Sequence, residues 1–194
     1  MKRHIPSTQG FQFIGGSKVL DFINTVGNRL GKCCDYFSKP GEVSRWAQLA
    51  ALGQLRILSS DLADIRRRRE YLYTLFLPFA HASVHAPFWA MAELNRDIEK
   101  LWRKRSLRQK GGKVEWLFHG SGAERLAHTI VSDAINLLVT GDCTLIRQCQ
   151  DSSCGWLYLD RSREKNRRWC SMRDCGNRAK ARRYYALHHG RKIR

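Results

Sequence analysis

The chain is 194 residues long, which suits one medium domain, or one medium domain with a small module beside it. Apolar residues make up 43% of it and it has only four prolines, so a real core is expected and long disordered tracts are excluded. The formal net charge is +18, and folding does not require this excess, which adds self-repulsion. The excess therefore predicts a polyanionic partner, with nucleic acid as the first candidate and an anionic membrane surface as the second.

The first residues do not resemble a secretion signal, because MKRHIPSTQGFQF has no apolar stretch of the required length. The longest apolar run, residues 75–80, contains a proline and is far too short to span a bilayer. We therefore expect no membrane segment and a cytoplasmic location. Thiols stay reduced there, so paired cysteines point to a metal rather than to disulfides.

The first predicted elements are a short strand and a helix. Residues 11–14 alternate like a strand, and Ser17 is placed to cap a helix that continues through Leu20 and Ile23. Three polar residues recur at spacings of three and four, which places them on one side of a helix: Asp21, Asn24 and Asn28. They form either a solvated or capping surface or a binding site for a small ligand.

The spacing of apolar residues predicts three longer helices: one from Ser60 that Pro78 kinks or ends, one after Pro87, and one from Ser121 to Gly141. Four consecutive arginines, 66–69, make a solvated face or a second phosphate-contacting surface. Residues 114–119 alternate like a strand and are predicted to pair with 11–14. The predicted fold class is α+β, with a mostly α-helical N-terminal domain and a small β-sheet over residues 1–143.

The second predicted domain, residues 144–194, is denser in charge, with 14 Lys+Arg against four Asp+Glu. It contains two equally spaced cysteine pairs, Cys149 with Cys154 and Cys170 with Cys175, separated by fifteen residues. Zn²⁺ prefers four tetrahedral thiolate or imidazole ligands, and two short-spaced pairs supply such a set from two separate turns. We therefore predict one structural zinc ion per chain, held in a treble-clef-like zinc finger made of a knuckle, a hairpin and a helix.

A redox pair or unconnected thiols are the alternative interpretations of these cysteines. A catalytic zinc needs an open coordination position, and four cysteine ligands leave none. The sequence also lacks the motifs of serine hydrolases, zinc proteases and phosphate-binding loops. We expect no enzymatic activity; the alternative is a site around Asp21 and Asn24 that processes a small ligand.

Basic residues surround and follow the second cysteine pair, and a helix is predicted over residues 177–186. On that helix Arg178 and Arg182 are four residues apart and share a face. Arginine suits both bidentate phosphate contact and guanine recognition. The predicted nucleic-acid-binding residues are Arg167, Arg168, Arg178, Lys180, Arg182 and Arg183. The alternative is a solvated basic surface in which some of the arginines pair with Asp151, Asp160 and Asp174.

Aromatic residues within the cysteine block and on the helix after it have two interpretations. In the first, they stack on the bases of a single-stranded nucleic acid. In the second, they form the hydrophobic core of the small module. A module of this size has few other large residues, so we favour the core for most of them and double-stranded DNA over RNA as the partner. The residues concerned are Trp156, Tyr158, Trp169, Tyr184 and Tyr185.

Several segments of this block resemble the CGNR zinc finger, a family named for the tetrapeptide found here at residues 175–178. The similarity extends through YLDRS (158–162), RRWCSM (167–172) and CGNRAKARRYY (175–185). The N-terminal part resembles the ABATE domain that accompanies this finger, chiefly through VLDFINTVGNR (19–29). The resemblance implies a bacterial, stress-induced transcription regulator with a DNA-binding zinc module behind a domain that senses a small-molecule effector.

The leading hypothesis is therefore a transcription regulator that binds DNA through a basic helix held by a structural zinc site with four cysteine ligands. The runner-up is a zinc-stabilised protein- or RNA-interaction module without sequence-specific DNA binding. A homodimer is compatible with either hypothesis, although no symmetric interface can be identified from the sequence.

Overall fold

Helices carry most of the N-terminal part of the fold. The computed structural model describes residues 11–83 and 85–189, and the outermost residues of both predicted domains lie outside these ranges. The helices are α1 (Lys18–Ile23), α2 (Pro40–Leu49), α3 (Leu62–Phe76), α4 (Phe88–Trp102), α5 (Gly122–Val139) and α6 (Asn177–His189). Among the residues described, no helix is long and apolar enough to cross a membrane.

Local capping explains where several helices begin. The hydroxyl of Ser17 accepts a hydrogen bond from the Leu20 N–H at the start of α1. Ser121 and Glu124 form a capping box at the start of α5, each side chain accepting from the other residue's backbone N–H. At the other end of α3, Pro78 coincides with a change from α-helix to a 3-10 turn over Leu77–His81, as predicted.

Within residues 11–83 and 85–189, the strands form three separate two-stranded antiparallel sheets. Their bounds are β1 (Val26–Gly27), β2 (Cys34–Asp35), β3 (Arg105–Lys110), β4 (Lys113–Phe118), β5 (Ile146–Gln148) and β6 (Leu157–Leu159). The prediction of a mostly helical part with small β-structure is confirmed. The predicted pairing of residues 11–14 with 114–119 is wrong, because β4 pairs with β3 over its whole length.

Residues 11–14 contribute aromatic side chains to the packing instead of a strand. The ring of Phe11 meets those of Tyr36 and Phe37 at 6.3 and 6.0 Å, and Phe13 meets Trp46 at 5.9 Å. Since these rings pack at the centroid distances typical of aromatic pairs, the segment is held by side-chain contacts and needs no strand partner.

One hydrophobic core extends across the predicted domain boundary at residues 143 and 144. Buried residues of α1, α3 and α5, such as Leu20, Leu72 and Ile130, belong to the same cluster as Ile146 of β5 and Leu157 and Leu159 of β6. The β5–β6 hairpin therefore packs into the helical body, and the cysteine-containing module is built on that hairpin.

The four arginines of α3 are engaged in ion pairs. Arg68 forms a bidentate pair with Asp97 at 2.6 and 2.9 Å, and Arg69 forms one with Asp35 at 2.7 and 2.9 Å. Arg67 pairs with Glu93, and Arg66 pairs with Asp35. Arg68 and Arg69 are buried and hold α3 against its neighbours. Neither the solvated face nor the phosphate-contacting surface suggested by the sequence describes these two residues.

Candidate metal centre and nucleic-acid interface

Four buried cysteines converge at one point of the C-terminal module. Cys149 and Cys154 lie in the loop that joins β5 to β6, so the hairpin encloses the first pair. Cys170 precedes a π-helical turn over Met172–Gly176, and Cys175 lies within that turn, just before α6. The four sulfur atoms lie within 4.8 Å of one another, and each cysteine is at most 4% exposed.

The spacing of the sulfur atoms fits a tetrahedral zinc ion. Zinc–sulfur bonds near 2.3 Å place neighbouring sulfurs about 3.8 Å apart. The Sγ atoms of Cys154 and Cys170 are 3.7 Å apart, and those of Cys170 and Cys175 are 3.5 Å apart. The four cysteines therefore form a metal site of the zinc-finger kind.

The order of elements around this site is compatible with a treble clef. A knuckle within a hairpin supplies the first pair of ligands, and the turn that starts a helix supplies the second. In this hairpin Leu157–Leu159 pairs with Ile146–Gln148, the strand that precedes the first cysteine pair.

A guanidinium and a buried carboxylate support the metal site from the side of α6. Arg178 donates to the Sγ of Cys175 at 3.0 Å and to the carboxylate of Asp151 at 3.2 Å, and Arg182 donates to the same carboxylate at 2.9 Å. The side chain of Asp151 is fully buried. Burial alone would raise the pKa of Asp151, but hydrogen bonds from Ser153 and the two arginines hold it below its usual range.

This arrangement turns Arg178 and Arg182 toward the protein. Both are partly exposed, yet their guanidinium groups fasten the first two turns of α6 to the knuckle. The ion-pair interpretation of these two residues therefore describes their contacts better than the nucleic-acid interpretation. Asp151 is the acid that makes these contacts, and it is one of the three acids that the ion-pair interpretation named.

The two arginines of the preceding loop differ from each other. Arg167 donates to the backbone carbonyls of Trp169 and Cys170 and lies over the ring of Tyr158 at 4.2 Å, so its contacts are internal. Arg168 is exposed and donates to the side-chain oxygen of Gln150 at 2.7 Å. Of this pair, Arg168 is exposed, whereas Arg167 is half-buried.

The opposite side of α6 faces away from the knuckle. With a turn of 3.6 residues, Lys180 and Arg183 lie away from the face of Arg178 and Arg182. Both are exposed, and among the residues described neither forms an ion pair. Tyr184 shares this outward side and stacks on His188 at 4.1 Å. From Lys180 through His188 every side chain of α6 is exposed, so the helix projects from the module.

The aromatic residues divide between the two interpretations. Trp156 and Tyr158 are buried, and Trp169 packs against the cysteine cluster with them, so these three form the module's core. Tyr184 and Tyr185 are 57% and 62% exposed on the projecting helix. The expectation that most of these five residues form the core is therefore confirmed, and the two exceptions are the tyrosines on α6.

Hydrogen bonds attach the module to the N-terminal part. Trp156 donates from its indole nitrogen to the Val26 carbonyl at 2.7 Å, and the Leu159 N–H donates to the Gly15 carbonyl at 2.8 Å. Asn24 donates to the Leu157 carbonyl at 2.8 Å and accepts from the Leu157 N–H at 3.0 Å. Because these groups are mostly buried, the module has a defined position on the helical body.

The three residues of the predicted ligand site are not brought together. Helix α1 ends at Ile23, so Asn24 is its buried C-cap and Asn28 lies in a turn with φ of 51°. Of the three, only Asp21 lines a cleft, which has a volume of about 380 Å³ and lies between α1, α5 and the module. Asp133, Asn136 and Arg161 also line this cleft. Burial is the main cause that raises the pKa of Asp21 to about 6, against the opposing hydrogen bond from the Gly15 N–H.

Comparison with known proteins identifies two families along the chain. The model of the ABATE family, described as "Putative stress-induced transcription regulator", matches residues 16–141. The model of the CGNR zinc finger matches residues 146–188, which include all four cysteines and most of α6. A search of curated proteins finds no match for the chain.

Proposed function

Because the chain belongs to the ABATE family and carries a CGNR zinc finger behind that domain, we propose that it is a cytoplasmic transcription regulator that binds double-stranded DNA. The outward side of α6 is the contact surface in this proposal. The observation that carries it is the contrast between the two sides of the helix. One side is fastened to Asp151, whereas Lys180 and Arg183 on the other are exposed.

The charge of the region supports a nucleic-acid partner. Residues 144–194 carry ten more bases than acids (14 against four), and Asp151 and Asp160 are buried within the module. A projecting helix with exposed cations fits the major groove, which admits an α-helix and whose flanking phosphates attract lysine and arginine. Arg168 and Lys180 suit phosphate contacts in this proposal, and Arg183 suits either a phosphate or a base edge.

The role proposed for the metal is structural. One zinc ion bound by Cys149, Cys154, Cys170 and Cys175 would have no open coordination position, and we propose no catalytic activity. The cysteine pairs come from the knuckle and from the turn that begins α6. Metal binding therefore fixes the start of α6 relative to the hairpin, and Asp151 holds the next turn through Arg178 and Arg182.

A sensing role for the N-terminal part would use the cleft that Asp21 lines. Residues of α1 and α5 line this cleft together with Leu159 and Arg161 of the module. Arg161 pairs with Asp142, which also lines the cleft, at 3.0 Å. A small effector bound there would contact both parts of the chain, and so would be able to alter how the module sits on the helical body.

Selection of bound duplexes from a random DNA pool by the zinc-loaded full chain tests the proposal. We expect an enriched sequence motif, and an affinity for it that falls steeply with salt because bound phosphates release counterions. Weak binding with no enriched motif would overturn the sequence-specific regulator and leave the alternative: a zinc-stabilised module that binds protein or RNA. The packing of β5 and β6 into the N-terminal core is the observation that favours that alternative.

A further inference from the structure

The β3–β4 hairpin is a ribbon that extends beyond the helical body. Its strands pair in register from Arg105 with Phe118 to Lys110 with Lys113. The two-residue turn between them is Gly111–Gly112, with φ of 57° and 76°, which is the left-handed backbone that a tight hairpin turn requires. Residues 107–116 are exposed throughout, so the outer part of the ribbon is covered on neither face.

The register of the ribbon divides its side chains into two unlike faces. Directly paired residues share a face, and the side chains alternate along each strand. One face therefore carries Leu107, Gln109, Val114 and Trp116. The other carries Arg108, Lys110 and Lys113, with Glu115 paired to Arg108. The ribbon thus has an apolar face and a cationic face.

The apolar face continues the packing surface of the helical body. At the base of the ribbon, the ring of Phe118 lies 4.4 Å from that of His128 in α5. Next to it, the guanidinium of Arg105 lies over the rings of Trp102 and Trp116 at 4.7 and 4.1 Å. Farther out the same face is largely open to solvent: Leu107 and Val114 are 61% and 65% exposed, and Trp116 is 63% exposed although Arg105 lies over one side of its ring.

We propose that this uncovered face packs against the same face of a second copy, so that the chain forms a two-fold homodimer. A two-stranded ribbon is only marginally stable in water unless an apolar face is covered. Contiguous exposed apolar surface of this kind marks an interaction site. A second copy supplies a matching face of the same length and the same apolar character, as a closed two-fold interface requires.

The charge of the ribbon favours a second copy over a polyanion as the occupant. Nucleic acid would be attracted to Arg108, Lys110 and Lys113, and binding there would leave Leu107, Val114 and Trp116 in water. When two apolar faces meet, the cationic faces point away from each other and their repulsion is smallest. This interface lies outside the module of α6, so the proposal does not depend on DNA binding.

Sedimentation and light scattering of the zinc-loaded full chain, from low to high micromolar concentration, test the proposal. We expect a species of twice the 22.5 kDa chain mass that dissociates on dilution. Val114→Lys and Leu107→Lys place a charge on the apolar face, and each should weaken dimerisation roughly tenfold or more, because a buried unpaired charge is costly.

Lys113→Ser is the matched control, because it changes the neighbour of Val114 on the opposite face. It should leave the dimer intact. Circular dichroism and zinc content equal to those of the unmodified chain establish that each variant is folded. A monomer at every concentration would overturn the proposal, and so would a dimer whose dissociation constant neither lysine substitution changes.

Discussion

Asn24 holds Leu157 through both of its amide atoms, donating to the backbone carbonyl at 2.8 Å and accepting from the backbone N–H at 3.0 Å. Asn24 is 2% exposed and Leu157 is fully buried. The two residues belong to different predicted domains. At their junction the Asn24 side chain bonds to both backbone groups of Leu157, as a neighbouring strand would do in a sheet. It is one of several contacts that fix the position of the cysteine module, together with the hydrogen bonds from Trp156 to Val26 and from Leu159 to Gly15.

Asn24→Ala should destabilise the whole chain by about 2–4 kcal/mol, because it leaves the N–H and the carbonyl of Leu157 buried without partners. The measurement is chemical denaturation of the zinc-loaded protein. Asn136→Ala, on the exposed side of α5, is the matched control and should change the free energy of unfolding by no more than about 0.5 kcal/mol. Equal stability of the two variants would show that the contact with Leu157 is unimportant.

Local rules predicted the elements whose signals are local. Four features follow from residues within one or two helical turns of the feature itself. They are the cap at Ser17, the effect of Pro78, the start of α5 at Ser121 and the helix after Cys175. Strand β3 was not predicted, because RSLRQK has one apolar residue and reads as a polar segment. Its strand conformation depends on pairing with β4 and on Arg105 stacking between two tryptophans.

The candidate site was predictable in its composition and not in its orientation. Equal cysteine spacing was enough to predict that the four sulfurs meet. A separation of four residues shows that Arg178 and Arg182 share a face, but it does not show what that face contacts. The answer depends on Asp151, which the hairpin brings to the helix from 27 residues away in sequence from Arg178.

Arg178→Ala should accelerate zinc loss, because it removes the hydrogen bond to the Cys175 sulfur and leaves Asp151 with one guanidinium partner fewer. Removing a group that supports a metal ligand typically lowers metal affinity about 10- to 100-fold. The measurement is the rate of transfer of zinc to a chromophoric chelator. Arg182→Ala, which contacts Asp151 and not the sulfur, should have a smaller effect. Identical transfer rates in the two variants would refute this role for Arg178.

Asp21→Asn should stabilise the protein above about pH 6. Burial raises the pKa of Asp21 from 3.8 to about 6, so the folded state binds a proton more tightly than the unfolded state does. The ionised form therefore costs stability at neutral pH, by at most about 3 kcal/mol, and this cost disappears as the pH falls from 6 to 4. Asparagine stays neutral and keeps an oxygen for the Gly15 N–H.

Thermal unfolding of both proteins across this pH range measures the difference. The melting temperature of Asp21→Asn should exceed that of the unmodified chain at pH 7, and the gap should close toward pH 4. Glu164→Gln, at an exposed position, is the control and should show no such trend. A gap that is constant with pH would indicate that the substitution acts through packing and not through ionisation.

Lys180→Ala combined with Arg183→Ala should weaken DNA binding while zinc content and stability stay unchanged, since both side chains are exposed on the outward side of α6. If each contacts one phosphate, the slope of log affinity against log salt should become shallower by about 2. Lys110→Ala combined with Lys113→Ala removes the same charge from the tip of the β3–β4 ribbon. Because the ribbon contacts α4 and α5 at its base, this control should change the slope little. Equal weakening by both pairs would mean that net charge, and not the face of α6, determines the affinity.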